Sequence, residues 1–313
     1  MIKKYIQAAR LRTLPLSVSG IIVGSFIGNQ HAFGLKNSIT LCDFDCPSIL
    51  QSSIFWLAII TTIGFQVLSN FANDYGDGVK GTDDNRIGEK RLVATGVITP
   101  NQMKRAIMFT AVGTLFIALY LIYLAFGKNN FGYSILFFGL GIASITAAIK
   151  YTVGKSAYGY SGFGDVFVFV FFGLLSVVGS YFLFTKEISG TIFLPAISIG
   201  LLSTAVLNLN NMRDIKNDKA SGKNTLVVKI GLSSAKFYHH FLIISSFIFA
   251  FLYVVVHFES PFQFMFVIAY IPLSKHLFFV QRNNEELAFD GELKIVALST
   301  FLFGILFGLG QVI

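Results

Sequence analysis

Charge is what this chain has least of. Only 13% of its 313 residues are charged, against 54% hydrophobic, and the mean hydropathy is +0.69. A water-soluble domain carries about 25% charged residues, so these are too few to cover a surface that faces water. The shortage excludes a soluble globule and leaves the bilayer to cover the chain. The net charge of +8 then reads as a bias between loops of a membrane protein, and nucleic acid is not an expected partner. Cysteine is nearly absent: Cys42 and Cys46 form a C-x-x-x-C in one polar loop. With no histidine near them a metal site is not expected, which leaves free thiols or a local disulfide. His31, His239, His240, His257 and His276 show no metal-binding spacing and are read as structural. No small-residue cleavage site clearly follows the first apolar run, so no removable leader is expected. A Ser–His–Asp arrangement and a Walker-type loop are also missing, and glycine-rich GYSGFGD lacks the strand a dinucleotide fold requires.

What the chain does have is long apolar runs of about 20 residues, the length at which a helix crosses hydrocarbon. About nine can be drawn, over 14–31, 52–72, 105–126, 131–149, 163–184, 191–211, 237–256, 262–280 and 294–312. They are continuous, whereas barrel strands alternate, and lipid demands that each segment satisfy its own backbone. The expected fold is an all-α integral membrane protein, one transmembrane domain over 1–313. About nine transmembrane helices would form two four-helix units around a central cavity, with repeat-like halves near 1–150 and 151–313. With the N-terminus in the cytoplasm, the 24 Lys and Arg fall in the inner connections or, like Arg105, at their edge; only Lys36, Lys128, Lys186 and Lys275 do not. That is the positive-inside pattern.

Two polar stretches stand out on the inner side: Asn70 to Gly96 and Asn208 to Gly231. In the second, Asn210, Asp214 and Asp218 recur every four residues, a spacing that stacks side chains on one helix face. In the first, Asn73 and Asp77 share it, and Gly81 holds the third position. Carboxylates at a membrane edge are costly and functional by default. Asp74, Asp77, Asp83 and Asp84, with Asp214 and Asp218, would repel one another unless a cation lay between them. Together with Asn73 and Asn210 they are hard oxygen donors, suited to Mg²⁺ shared with substrate phosphates. A single ladder could also be a solvated acidic cap at a helix end, and two matched ladders speak against that reading. Lys80, Arg86, Lys90 and Arg91 follow the first ladder, and Lys223 follows the second. Lys150 and Lys155 lie in the connection between the fourth and fifth segments. Such cations clamp a diphosphate, although contact with anionic lipid explains any one of them. Arg91, Lys155 and Lys223 rank first. Tyr151, Tyr158 and Tyr160 share the Lys155 connection, where aromatic faces would stabilise a carbocation.

These motifs resemble the UbiA superfamily of intramembrane prenyltransferases, which carries N-x-x-x-D-x-x-x-D in each half and Y-x-x-x-K between them. Here the second copy is complete, Tyr151 and Lys155 form the loop motif, and Gly81 departs from the first copy. The departure resembles the naphthoate-prenylating branch of the family, as do ARLRTLPLS, SNFANDYGDGVKGTDDNRIG, TGVIT, YTVGKSAYGYSGFGD and NNMRDIKNDKASGKNTL. Glu89 stands where that branch has Pro. The resemblance implies an enzyme of the bacterial cytoplasmic membrane, its mouth on the cytoplasmic side. Its reaction would be Mg²⁺-dependent transfer of a polyprenyl group from polyprenyl diphosphate to 1,4-dihydroxy-2-naphthoate. Diphosphate and CO₂ would be lost, giving demethylmenaquinone. By position, Asn73, Asp77, Asn210, Asp214 and Asp218 would serve the metal, with Asp74 and with Asp83 or Asp84 as further ligands. Arg91, Lys223, Lys80, Arg86, Lys150 and Tyr158 would bind substrate. Asp77, Asp214, Asp218, Lys155, Tyr151, Tyr160 and Asp165 would take part in catalysis, unless Asp165 only caps the fifth helix.

Two alternatives remain at this stage. The acceptor could be another aromatic, 4-hydroxybenzoate or homogentisate, against which the Gly81 pattern speaks. The ladders could instead pass a divalent cation across the membrane. A conduction path needs polar groups throughout, and here they gather on one side.

Overall fold

The computed structural model describes residues 2–37, 48–81, 91–154 and 157–313. Cys42, Cys46, Asp83, Asp84, Arg86, Glu89, Lys90 and Lys155 lie outside them. Among the described residues every regular element is helical, and nine stretches are long and apolar enough to cross a bilayer, as expected. The first joins α1 (Ile2–Ala9) to α2 (Leu14–Asn37). Next come α3 (Ser53–Lys80), α4 (Pro100–Phe126) and α5 (Phe131–Lys150). The fifth runs through α6 (Gly164–Val168), a π-helical segment over Phe169–Leu175, and α7 (Ser176–Thr185). α8 (Phe193–Arg213) is the sixth and is followed by the short α9 (Ile215–Ala220). The last three are α10 (Leu226–Val256), a 3₁₀ stretch Pro261–Ala269 leading into α11 (Tyr270–Arg282), and α12 (Phe289–Gly310).

Helix starts are set by side chains that take up otherwise orphaned backbone N–H groups. Thr99 and Gln102 form a reciprocal capping box at α4, with Pro100 in its first turn. Ser52 and Thr225 accept from the N–H groups of Phe55 and Val228 at α3 and α10.

α2 and α8 are the best-covered spans. α8 packs on α10, on α12 and on the π segment, while α2 packs on α3, α7 and α12. Close approach of α2 to the fifth span depends on Gly20, Gly24 and Gly28, spaced four apart. A Cβ on Gly20 would lie 2.7 Å from the Phe172 carbonyl oxygen and one on Gly28 2.8 Å from that of Tyr181; one on Gly24 would run into that of Val177. Such stripes let helix backbones touch where no hydrophobic drive exists between them. Because the obstacle is backbone, Gly24→Val should destabilise the bundle by about 3 kcal/mol or more, read as a lower thermal midpoint in detergent.

The outer helices α4 and α5 cover much less, and α5 has no buried residue at all. Between α2, α3, α4, α5 and the fifth span lies a cavity of about 360 Å³, touched also by Leu207 of α8. It follows α3 from Ala58 to Asn73, about 22 Å at 1.5 Å per residue. Its walls are mostly apolar, among them Phe65, Ile122, Phe137 and Phe171, and Asn73, Tyr151 and Tyr158 line it as well.

Candidate active site

The polar end of α3 stays helical until Gly81, which takes a left-handed φ of 69° and bonds its N–H to the Asp77 carbonyl. Glycine adopts that conformation without penalty and ends helices for this reason. The third position of the first ladder is therefore a helix stop. Asp77 is 3% exposed. One of its carboxylate oxygens accepts from Arg91 Nη2 at 2.8 Å, the other from the Tyr160 hydroxyl at 2.7 Å. Asp74, nearby on the same helix, accepts the backbone N–H groups of Leu92 (3.0 Å) and Val93 (2.9 Å). It thus fastens the segment after Arg91 onto α3 and sets the arginine against Asp77. Asn73 meets the end of α5, where the Thr152 hydroxyl lies 3.1 Å from both its Oδ1 and the Ala72 carbonyl.

Tyr160, in the connection between α5 and α6, ties the two ladders together. Its ring lies 3.9 Å from Lys80 Nζ and 5.8 Å from Lys223 Nζ. Its carbonyl accepts the Asn224 N–H at 3.0 Å. Lys223 in turn pairs with Asp218 at 3.5 Å. A continuous path therefore runs from Asp77 through Tyr160 and Lys223 to Asp218. Tyr151, just past the end of α5, senses the same convergence. Burial first, then the nearby Asp165, Asp77 and Asp218 carboxylates, push its hydroxyl above the usual tyrosine range. It stays protonated at physiological pH and can only donate to an anion there.

The second ladder is not one straight helix. α8 ends at Arg213, Asp214 leaves helical geometry (φ −94°, ψ 7°), and α9 resumes beyond it. The four-residue bonds survive the bend, from Asp214 N–H to the Asn210 carbonyl (3.1 Å) and from Asp218 N–H to that of Asp214 (2.8 Å). Arg213 fills the corner and is 1% exposed. Its Nε and Nη2 each reach Asp214 at 2.8 Å, a bidentate fork. Nη2 also meets Asn210 Oδ1 at 2.9 Å, and Nη1 meets Asp290 of α12 at 2.6 Å.

Asp165 does not cap the fifth helix: the cap position is Phe163, and Asp165 lies inside the first turn of α6. It is 7% exposed, and its Oδ1 has no hydrogen-bond partner among the described residues. Tyr158 donates to the Ala147 carbonyl (2.8 Å) and stacks on Phe167 at 3.7 Å, which makes it a cavity wall. Lys150 is exposed on the last turn of α5. Asp83, Arg86 and Lys155 are not among the described residues.

The UbiA prenyltransferase family is matched over residues 45–307. The chain belongs to this family. Its full length is 38% identical to a Haemophilus influenzae protein named 1,4-dihydroxy-2-naphthoate octaprenyltransferase, covering 96% of that protein. An Escherichia coli protein of the same name is 39% identical over 98% of the chain and 94% of its own length. In fold, the chain matches a solved structure of digeranylgeranylglyceryl phosphate synthase with a TM-score of 0.55 at 18% identity, over 97% of this chain and 98% of the other. It is thus a multi-pass membrane prenyltransferase, and the cation-transporter alternative falls.

For this UbiA-family chain, sequence reasoning missed Arg213 and Asp290. A basic residue inside an Asn/Asp ladder at the edge of an apolar run was the available signal for Arg213. Nothing local marks Asp290, whose relevance comes only from α12 packing beside α8.

Proposed function

We propose that the chain transfers a polyprenyl group from a polyprenyl diphosphate to 1,4-dihydroxy-2-naphthoate, with loss of diphosphate and CO₂. The observation that carries this reading is the Tyr160 bridge between Asp77 and Asp218, close to a largely apolar cavity that Asn73 and Tyr151 also line. The names of the two full-length relatives support the choice of acceptor. Arg91, Lys80 and Lys223 hold the diphosphate, and the prenyl tail lies along the cavity. Asn73, Asp77, Asn210, Asp214 and Asp218 are assigned to Mg²⁺. Among the described residues no three His, Cys, Asp or Glu side chains form a ready cluster. An all-oxygen, partial donor set suits a cation that takes its remaining ligands from a substrate diphosphate. When bound, Mg²⁺ neutralises charge on the departing diphosphate. Asp74 is given a different task from the one its sequence position suggests: its bonds to the Leu92 and Val93 N–H groups fasten the backbone that carries Arg91 to α3.

Departure of diphosphate leaves an allylic cation, which the faces of Tyr151, Tyr158 and Phe167 stabilise. The ring carbon bearing the carboxylate attacks the cation. CO₂ then leaves with its electron pair returned to the ring, and no net proton is needed. The product is a prenylated naphthalenediol, the reduced form of demethylmenaquinone. Asp165 accepts a hydrogen bond from a ring hydroxyl of the acceptor and raises its electron density. The positive-inside bias supports a mouth on the cytoplasmic side of the inner membrane.

Mass spectrometry of products from dihydroxynaphthoate, 4-hydroxybenzoate and homogentisate with mixed prenyl diphosphates tests the assignment. Prenylated, decarboxylated naphthalenediol is the expected product, and turnover of hydroxybenzoate alone would overturn it. Excess chelator should abolish turnover and added Mg²⁺ should restore it; undiminished transfer in chelator would remove the metal from the site.

A further inference from the structure

In the second half of the chain, four side chains from four spans form a buried polar chain that the reaction does not use. Asn208 Nδ2 of α8 lies 3.1 Å from the Ala235 carbonyl and 3.3 Å from His239 Nδ1 of α10. His239 Nε2 lies 2.8 Å from His276 Nε2 of α11, and His276 Nδ1 lies 2.5 Å from Glu292 Oε2 of α12. Asn208 and His239 are 0% exposed and His276 2%, while the Glu292 side chain is 13% exposed.

The chain has one direction, fixed at both ends. The Ala235 carbonyl accepts only, so the NH₂ of Asn208 must point there and also toward His239. His239 Nδ1 is therefore an acceptor and its proton sits on Nε2. That proton makes His276 Nε2 an acceptor, which puts the proton of His276 on Nδ1, aimed at the Glu292 carboxylate. Both imidazoles are then neutral and each contact in the run sets one donor against one acceptor, while Asn208 Oδ1 is left without a hydrogen-bond partner among the described residues. An extra proton on either ring sets donor against donor, at the His–His contact or at Asn208. Further ionisable groups on the packed elements are Lys229, Lys236, Tyr238, His240 and Tyr253 of α10, Tyr270, Lys275 and Arg282 of α11, Asp290 and Lys294 of α12, and Arg213 of α8. His240 Nδ1 meets the Lys236 carbonyl at 2.8 Å, and Lys236 Nζ meets Asn284 Oδ1 at 2.7 Å and the Asn283 carbonyl. Arg213 and Asp290 pair with each other.

Ionisable groups inside membrane spans are costly and mark function more often than packing. This chain ends two residues before Asn210. The first turn of α12 thus grips the end of α8 twice, once from Asp290 through Arg213 and once from Glu292 through the histidine pair. None of His239, His276 or Glu292 lines the cavity. We propose that these three are positioning residues for prenyl transfer: through Asn208 they hold the end of α8 so that Asn210 and Asp214 face the site. The proposal rests on the assignment of Asn210 and Asp214 to that site.

Nitrogen-15 spectra of histidine-labelled protein should show His239 protonated on Nε2 and His276 on Nδ1, whatever the enzyme turns over. Glu292→Leu should lower kcat about 10-fold, leave the KM for dihydroxynaphthoate unchanged, and alter the acid limb of the pH profile. Glu292→Gln, whose amide oxygen still accepts from His276, should recover most of kcat at neutral pH. The reverse tautomers would overturn the proposal, as would equal kcat losses in both variants or a Leu variant with wild-type kcat. Full activity in Asp214→Ala would instead sink the site assignment and leave the tautomer result standing.

Discussion

Asp77→Asn should leave a folded chain whose prenyl transfer is reduced by about 100- to 1,000-fold, the loss expected when one preorganised polar group at a reacting centre is removed. Asp77 accepts from Arg91 and from Tyr160 at once. An asparagine offers one oxygen and one NH₂, so it satisfies one donor and confronts the other. The negative charge that would hold the cation disappears with it. The defect should appear at saturating concentrations of both substrates and should raise the Mg²⁺ concentration needed for half-maximal rate. Turnover within threefold of wild type would take Asp77 out of the site. Asp74→Ala is the informative contrast, since it strips the carboxylate from the Leu92 and Val93 N–H groups. Its damage should appear as lower stability together with weaker diphosphate binding through a displaced Arg91.

Arg213→Met should cost about 3–5 kcal/mol of stability, because removing one partner of a buried pair leaves the other charge uncompensated. Asp214, with its side chain 5% exposed, would lose two bonds of 2.8 Å, and Asn210 would lose a third. Arg213→Lys should recover little, since a single ammonium cannot reproduce the fork. Adding Asp214→Leu to Arg213→Met should return part of the stability while abolishing transfer, which separates the structural part of the pair from its chemistry. A thermal midpoint unchanged in Arg213→Met would show that the fork supports nothing.

The spans were legible because lipid leaves a helix few choices, and uninterrupted apolar runs report that directly. Their ends were not. α3 continues from 72 to Lys80 through residues too polar for a hydropathy window, held there by Arg91, Tyr160 and Thr152 from elsewhere in the chain. The Asp77 and Asp218 ladders were legible because four-residue spacing survives in local sequence. The bend at Asp214 was not, since it coincides with Arg213 reaching across to α12. Asp74 and Asp77 look alike in sequence and differ only in what is brought to them. The histidines carried no signal because His239, His276 and Glu292 meet across three spans.

α5 has half-buried residues but no fully buried one, yet it supplies Phe137, Leu140, Gly141, Ser144, Ala147 and Ala148 to the cavity. One wall of the cavity is therefore a single helix whose outer face is left to the surrounding acyl chains. Its width then follows the thickness and fluidity of the surrounding leaflet, and detergent extraction replaces that backing before any rate is measured.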